Sequence, residues 1–309
     1  MADRPVPHDA GFVEVDDRCW LARSEFLDVN VGLVGGERGL LVVDTNTSEA
    51  AARRVVEQVR RLGVGEVVAI VNTHQHFDHT FGNVVFAEEY DAPPVFAHES
   101  VPADLEIWGP RVQAEATSAA EDPQTDASTR QRYREIAETR LRLPDRSFSS
   151  AKVVDLGDRR VELVHPGRGH TAGDVVVRVA GTPGGTGTDV LFAGDLVEES
   201  TADHAAPGYG DDCFPLEWPA TLDLLVGLLT PGSLVLPGHG QPVSRDFVEE
   251  QRTSVGVVAE TIRDLASRGI PAEEALDATQ WPFPKEALVN AVGRGYAQLP
   301  RGARRLPLA

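Results

Sequence analysis

Four side chains able to bind a metal fall within six consecutive residues, His74-Gln75-His76-Phe77-Asp78-His79. Imidazole nitrogen and carboxylate oxygen are both good donors to divalent zinc, manganese or iron, and few structural roles call for them at this density. In an extended segment residues i and i+2 point the same way, so His74 and His76 can grip one ion while a turn directs Asp78 and His79 towards another. The competing reading, a polar loop of solvated histidines, leaves the clustering unexplained.

That cluster cannot close two coordination spheres alone, and three later segments offer the missing donors. The run Pro166-Gly167-Arg168-Gly169-His170-Thr171-Ala172-Gly173-Asp174 presents His170, Gly194-Asp195 ends an apolar run on a carboxylate, and Pro237-Gly238-His239-Gly240 sets a histidine between glycines. Glycine lets the backbone approach an ion closely. Each segment is weak evidence alone. All of them follow β-type runs, and loops converging on one edge of a sheet sandwich are where such a site is assembled. His165 is the alternative donor from its loop, but the Gly-His-Thr setting favours His170.

Taken together, these residues resemble the signature of the metallo-β-lactamase superfamily, His-x-His-x-Asp-His followed by a later His, an Asp and a final His. The resemblance spans roughly residues 12–245. It implies an α/β fold, an αββα sandwich of two mixed β-sheets packed face to face, with helices outside and the site at one edge. It also implies that His74, His76 and His170 hold one ion, that Asp78, His79 and His239 hold a second, and that Asp195 bridges them. Two divalent ions are expected, zinc first, with Mn2+ or Fe2+ as alternatives. Such a pair can share a hydroxide that attacks an ester, thioester, lactone or related carbonyl, with Asp78 orienting it or taking its proton.

Departures from the subfamilies order the alternatives. Asp195 stands where several zinc β-lactamase subclasses place Cys or Ser, so antibiotic hydrolysis is not the leading expectation. His76 stands where flavodiiron enzymes have Glu. A mononuclear-iron sulfur dioxygenase shares much of the ligand motif and is the redox alternative.

The elements that must position these side chains are legible from periodicity. Residues 31–44 read as a hairpin about Gly35-Gly36-Glu37-Arg38-Gly39, and residues 48–62 place Ala52, Val55, Val56, Val59 and Leu62 at helical spacing before Gly63. Residues 67–71, 161–164, 189–193 and 234–236 read as strands leading into the ligand loops. Asp44, at the end of the hairpin, either orients a ligand loop or is a turn carboxylate.

Residues 101–150 form an insertion whose stretch 128–143 is helical in character, expected as an oligomer contact or solvated surface ahead of a lid. Residues 246–309 read as a helical extension of a domain at 1–245, with helices at 246–266 and 284–299, packed on the sandwich or against a second subunit. The loop 198–218 either lines the substrate pocket or anchors itself to the core, and Tyr209 and Phe214 are its candidate substrate contacts. Asp203, Asp211 and Asp212 would make its rim unfavourable to anions. His8 reads as solvated, His98 as a strand-end residue with a local hydrogen bond, and His204 as part of a loop that could cover the site.

Composition narrows the partners. A net charge of −19 repels phosphate backbones and anionic membrane surfaces, so a small molecule is expected rather than nucleic acid. Cys19 and Cys213 are too few for a disulfide framework, and no apolar window approaches a membrane span. With no basic segment preceding an apolar one near Met1, a cytoplasmic location is expected.

Overall fold

The computed structural model describes residues 5–181, 187–200 and 206–300. Its first sheet runs in chain order: β1 (Val13–Asp16), β2 (Cys19–Arg23), β3 (Asn30–Gly36), β4 (Gly39–Val43), β5 (Val67–Val71), β6 (Val95–His98) and β7 (Arg146–Phe148). The first four strands pair antiparallel and the last four parallel. The second sheet contains β8 (Ala151–Asp155), β9 (Arg160–Val164), β10 (Val176–Val179), β11 (Val190–Gly194), β12 (Leu234–Pro237) and β13 (Val243–Ser244), in the order β13-β12-β11-β10-β9-β8. Only β11 and β12 are parallel there, so both sheets are mixed.

The helices in chain order are α1 (Glu49–Leu62), α2 (Phe77–Thr80), α3 (Asn83–Glu89), α4 (Val101–Glu121), α5 (Ala127–Ala137), α6 (Trp218–Gly227), α7 (Arg245–Ser267), α8 (Ala272–Ala275) and α9 (Val289–Gln298). Three apolar layers result. Leu21, Leu41 and Val71 of the first sheet meet Leu163, Val177 and Phe192 of the second between the sheets. Leu33, Val42 and Ile70 pack outward on α1 and α3, while Leu191, Val235 and Val176 pack on α6, α7 and α9. This is the expected αββα sandwich. β4 is buried on both faces and therefore reads as an uninterrupted apolar run.

Local chemistry fixes the ends of α1. Ser48 Oγ accepts from Ala51 N at 3.1 Å, and Gly63 closes the helix at φ 67° with its N–H on Val59 O. Residues 101–150 differ from expectation. They hold two contacting helices, the second ending at Ala137 rather than 143, and the 21-residue α4 precedes it. Helix α4 buries Val101, Leu105, Gly109, Ala116 and Ala120, a stripe too poor in large apolar side chains to stand out by periodicity. The C-terminal helices share a core with the second sheet through Val255, Val258, Ile262, Ala291 and Val292. Cys19 and Cys213 are both buried and free. Among the described residues, no helix is long and apolar enough to cross a membrane. Residues 182–186, in the glycine-rich stretch of sequence before β11, lie outside those described.

Candidate metal centre

Four loops, each following a strand end, bring the sequence motifs to one edge of the sandwich. His74 to His79 follow β5, His170 lies between β9 and β10, Asp195 follows β11 and His239 follows β12. Ligand atoms of His74, His76, His170 and Asp195 lie within 4.8 Å of one another, and those of Asp78, His79 and His239 form a second such group.

Asp195 stands between the groups. Its Oδ2 is 3.7 Å from His74 Nε2, 3.4 Å from His170 Nε2 and 3.2 Å from His239 Nε2, and its Oδ1 is 3.3 Å from His79 Nε2. Asp78 Oδ2 lies 3.3 Å from His239 Nε2 and 3.5 Å from His79 Nε2. Gly238 makes this approach possible, because a Cβ there would fall 1.8 Å from Asp195 Oδ1. Gly240 follows at φ 97°, a backbone conformation that side chains resist.

Each histidine ring has one nitrogen contacting a neighbouring group and turns the other inward. His79 Nδ1 pairs with Asp44 Oδ2 at 2.8 Å, His239 Nδ1 with Leu27 O at 2.7 Å, and His170 Nδ1 with Gly208 O at 2.8 Å. His74 Nδ1 contacts Thr73 Oγ1 at 3.0 Å. His76 is reversed, with Nε2 on Asp212 Oδ2 at 3.1 Å and Nδ1 facing His170 Nε2 at 2.9 Å. Such outer hydrogen bonds set tautomer and ring orientation. Asp44 also accepts from Thr73 N and Thr73 Oγ1, both at 2.8 Å, which places it on the orienting side of its two expected roles.

Two atoms test whether a cation fits. His74 Nε2 and Asp195 Oδ1 are buried with no hydrogen-bond partner, a condition native structures seldom leave uncompensated. Electrostatics agree. Burial, with neighbouring imidazoles, holds His74 well below its usual pKa, and burial takes His170 down to about 4, so both rings are neutral donors near pH 7. Burial opposes charge on Asp78 and Asp195, yet His79 and His239 hold both carboxylates well below their usual range. His79 and His239 in turn are raised by those carboxylates against burial. The cluster is compatible with a divalent metal site, where cation binding would displace those protons.

Asp174, buried beside this loop, gives a pH prediction. Burial raises its pKa to about 7, outweighing the Thr171 N and Oγ1 donors. The unfolded carboxyl ionises near 3.8, so the folded chain alone keeps its proton between about pH 4 and 7, and stability falls as pH rises through that window. Chelator-treated Asp174→Asn is therefore expected to gain stability relative to the parent from about pH 4 to 7 and to keep a constant difference above. Parallel urea midpoints across that range would refute this.

Two cavities flank the cluster. One, of about 500 Å³, has His76 and Asp78 among its lining, an apolar wall of Phe77, Phe81, Leu105, Trp108 and Val112, and Gly210, Asp211 and Asp212 opposite. The other, of about 470 Å³, is lined by Leu27, Asp78, Glu198, Tyr209 and His239 among others. Helix α4 of the insertion thus walls a cavity beside the cluster, while none of the α5 residues lines it.

Other expected residues are placed as follows. Tyr209 lines the second cavity but is buried, its ring 5.1 Å from Trp218. Phe214 lines neither cavity. Its ring lies under the guanidiniums of Arg168, at 4.5 Å, and Arg294, at 5.4 Å, which accords with the anchoring alternative for this loop. His165 Nδ1 contacts Asp174 O at 2.7 Å and its ring stacks on His98 at 4.1 Å, away from both ligand groups. His98 Nδ1 contacts Ser100 Oγ at 3.1 Å, the local bond expected of it. His8, expected to be solvated, pairs with Asp28 at 2.8 Å. Asp203 and His204 lie outside the described residues. Asp211 and Asp212, expected at the rim, both line the first cavity, and Asp212 also holds Gln75 Nε2 at 2.7 Å as well as His76, contacts across more than 130 residues that no local pattern signals.

A family model described as the metallo-beta-lactamase superfamily matches residues 25–239. The "Metallo-beta-lactamase type 2" of Bacillus cereus is 22% identical over 265 residues, covering 80% of this chain and 86% of that protein. The "Linear primary-alkylsulfatase" of Pseudomonas sp. (strain ATCC 19151) is 22% identical over 271 residues, covering 81% of this chain and 49% of that protein. Among solved structures, a metallo-beta-lactamase from Pontibacter korlensis superposes with a TM-score of 0.56 at 20% identity, covering 79% of this chain and 98% of that one. At that identity the structural likeness speaks to the fold alone.

Proposed function

Because the chain belongs to the metallo-beta-lactamase superfamily, we propose that it is a binuclear metallohydrolase cleaving an ester, thioester, lactone or related carbonyl bond. The observation that carries this reading is Asp195, one buried carboxylate within 3.7 Å of four imidazoles from both ligand groups, with one oxygen that accepts no hydrogen bond. In this reading His74, His76 and His170 hold one ion, Asp78, His79 and His239 the other, and Asp195 both.

Two divalent ions, zinc first, would when bound supply Lewis acidity for activating water and polarising a carbonyl. The protein side chains provide position and proton handling. Asp78 borders both cavities, where its carboxylate can orient a water and accept its proton. Asp44, Leu27 O, Gly208 O and Asp212 hold four rings in place. The apolar wall from α4 suits an uncharged hydrocarbon substituent on one side of the scissile bond.

Trp108→Ala is accordingly expected to raise KM for esters with bulky apolar acyl groups roughly tenfold, about 1.4 kcal/mol, while a compact acetate ester is little affected. An unchanged ratio of kcat/KM between the two esters would remove α4 from substrate recognition.

The proposal is tested by elemental analysis of protein purified without added metal or chelator, with parallel assays of ester, thioester and lactone hydrolysis and oxygen uptake. Near two zinc or manganese ions per chain with carbonyl-ester turnover supports it. One iron with oxygen consumption overturns it in favour of sulfur-dioxygenase-type chemistry. The relatives named above make a cephalosporin and an alkyl sulfate the comparison substrates, and turnover confined to either would correct the substrate class.

A further inference from the structure

Helix α9 lies beyond the residues matched by the family model, yet it reaches the ligand cluster through a single loop. Asn290 Nδ2 donates to Tyr209 O at 2.9 Å, Arg294 Nε to Cys213 O at 3.0 Å and Nη2 to Asp212 O at 3.5 Å, and Gln298 Nε2 to Cys213 O at 2.9 Å. Residues four apart share one side of a helix, so the three side chains form a stripe gripping one stretch of backbone. Ala291, Val292 and Gly295 are buried. A Cβ on Gly295 would come within 2.9 Å of Ile262, so this glycine lets α9 press onto α7.

The gripped loop presents one acceptor to each of two candidate ligands. Gly208 O contacts His170 Nδ1, and Asp212 Oδ2 contacts His76 Nε2. His76 depends on this most. It alone turns Nδ1 inward, and its side chain is 27% exposed whereas those of the other four are at most 10%. The second group has different supports, Asp44 behind His79 and Leu27 O behind His239, neither of them on α9.

We propose that α9 is a latch and Asp212 a positioning residue, which together fix the rings of His76 and His170 and so set the ion affinity of the His74–His76–His170 group without setting that of the other. Asp212 accepts the Nε2 proton of His76, which leaves the Nδ1 lone pair free to face the centre, while Gln75 Nε2 keeps the carboxylate from rotating away. The inference rests on the binuclear reading given above.

Stepwise zinc titration against a chromophoric chelator separates the two claims. It is run on the full chain and on Asp212→Ala, Asp212→Asn and the triple variant Asn290→Ala/Arg294→Ala/Gln298→Ala, with the melting temperature of each metal-free protein. The parent binding two zinc ions is the premise. Fewer than two overturns the binuclear reading, and this inference with it. Asp212→Ala is expected to weaken one of the two ions roughly 10- to 100-fold and leave the other unchanged. Asp212→Asn retains an oxygen facing His76 and is expected to recover part of the loss. The triple variant is expected to weaken the same ion, and Arg294→Ala alone serves if the triple variant does not fold. Equal weakening of both ions, or a lowered melting temperature with both affinities intact, would leave Asp212 and α9 as structural supports only and overturn the proposal. Loss in Asp212→Ala with no effect of the α9 variants would overturn the latch.

Discussion

Asp195→Asn is expected to lower turnover by about 10³-fold or more, equivalent to roughly 4 kcal/mol of transition-state stabilisation, and to strip at least one of two bound ions. The carboxylate lies within 3.7 Å of imidazoles from both clusters, and its Oδ1 is buried without a hydrogen bond. An amide keeps the shape, so steric collapse around Gly238 is not introduced. It removes the negative charge and presents a donor where a cation would sit. Metal-free Asp195→Asn is expected to lose some stability relative to the parent, because without a metal the carboxylate is paired with the His79 and His239 imidazoles and the amide leaves them without that partner. The decisive measurement pairs metal content with kcat/KM. Two ions and near-parental turnover in this variant would show that Asp195 is not a shared ligand.

Asp44→Ala is expected to carry the largest stability loss, about 3–5 kcal/mol, since it strips the partner from buried donors on Thr73 and His79. Burial pushes this carboxyl up in pKa while His79 and Thr73 pull it down, so its charge depends on those donors. The residue also follows β4 directly at φ 64°, a left-handed conformation that Asp tolerates better than Ala. The loss should appear in the presence of chelator as well as metal, which distinguishes it from a ligand substitution. An unchanged melting temperature in chelator would mean that the His79 ring is held by packing alone.

The difference between these residues follows what a chain segment can reveal locally. His74, His76, Asp78 and His79 were readable because four donors share six residues after a strand, and His170, Asp195 and His239 because each sits in a glycine-bearing loop after a β-type run. Helix α1 and strand β5 were readable because apolar spacing and end signals lie within the elements themselves. Asp44 had two readings of equal standing in sequence, and only the approach of His79, 35 residues away, chose between them.

Where the deciding contact is made between distant segments, sequence carried no signal. Asp212 reads as a rim carboxylate and does line the cavity, but its bond to His76, 136 residues earlier, exists only because the loop after β11 folds back on the cluster. Phe214 has two readings in sequence, pocket lining or anchor, and its packing under Arg168 and Arg294 is set by segments 46 and 80 residues away. Helix α4 buries mostly small residues, so neither its length nor its place against the site was written in its periodicity. The sequence by itself therefore determined which donors exist and on which strand ends they sit, because adjacency and alternation are properties of the chain. Only the tertiary structure decided which groups orient those donors and which surfaces enclose them, because such contacts are set by the packing of elements far apart in sequence.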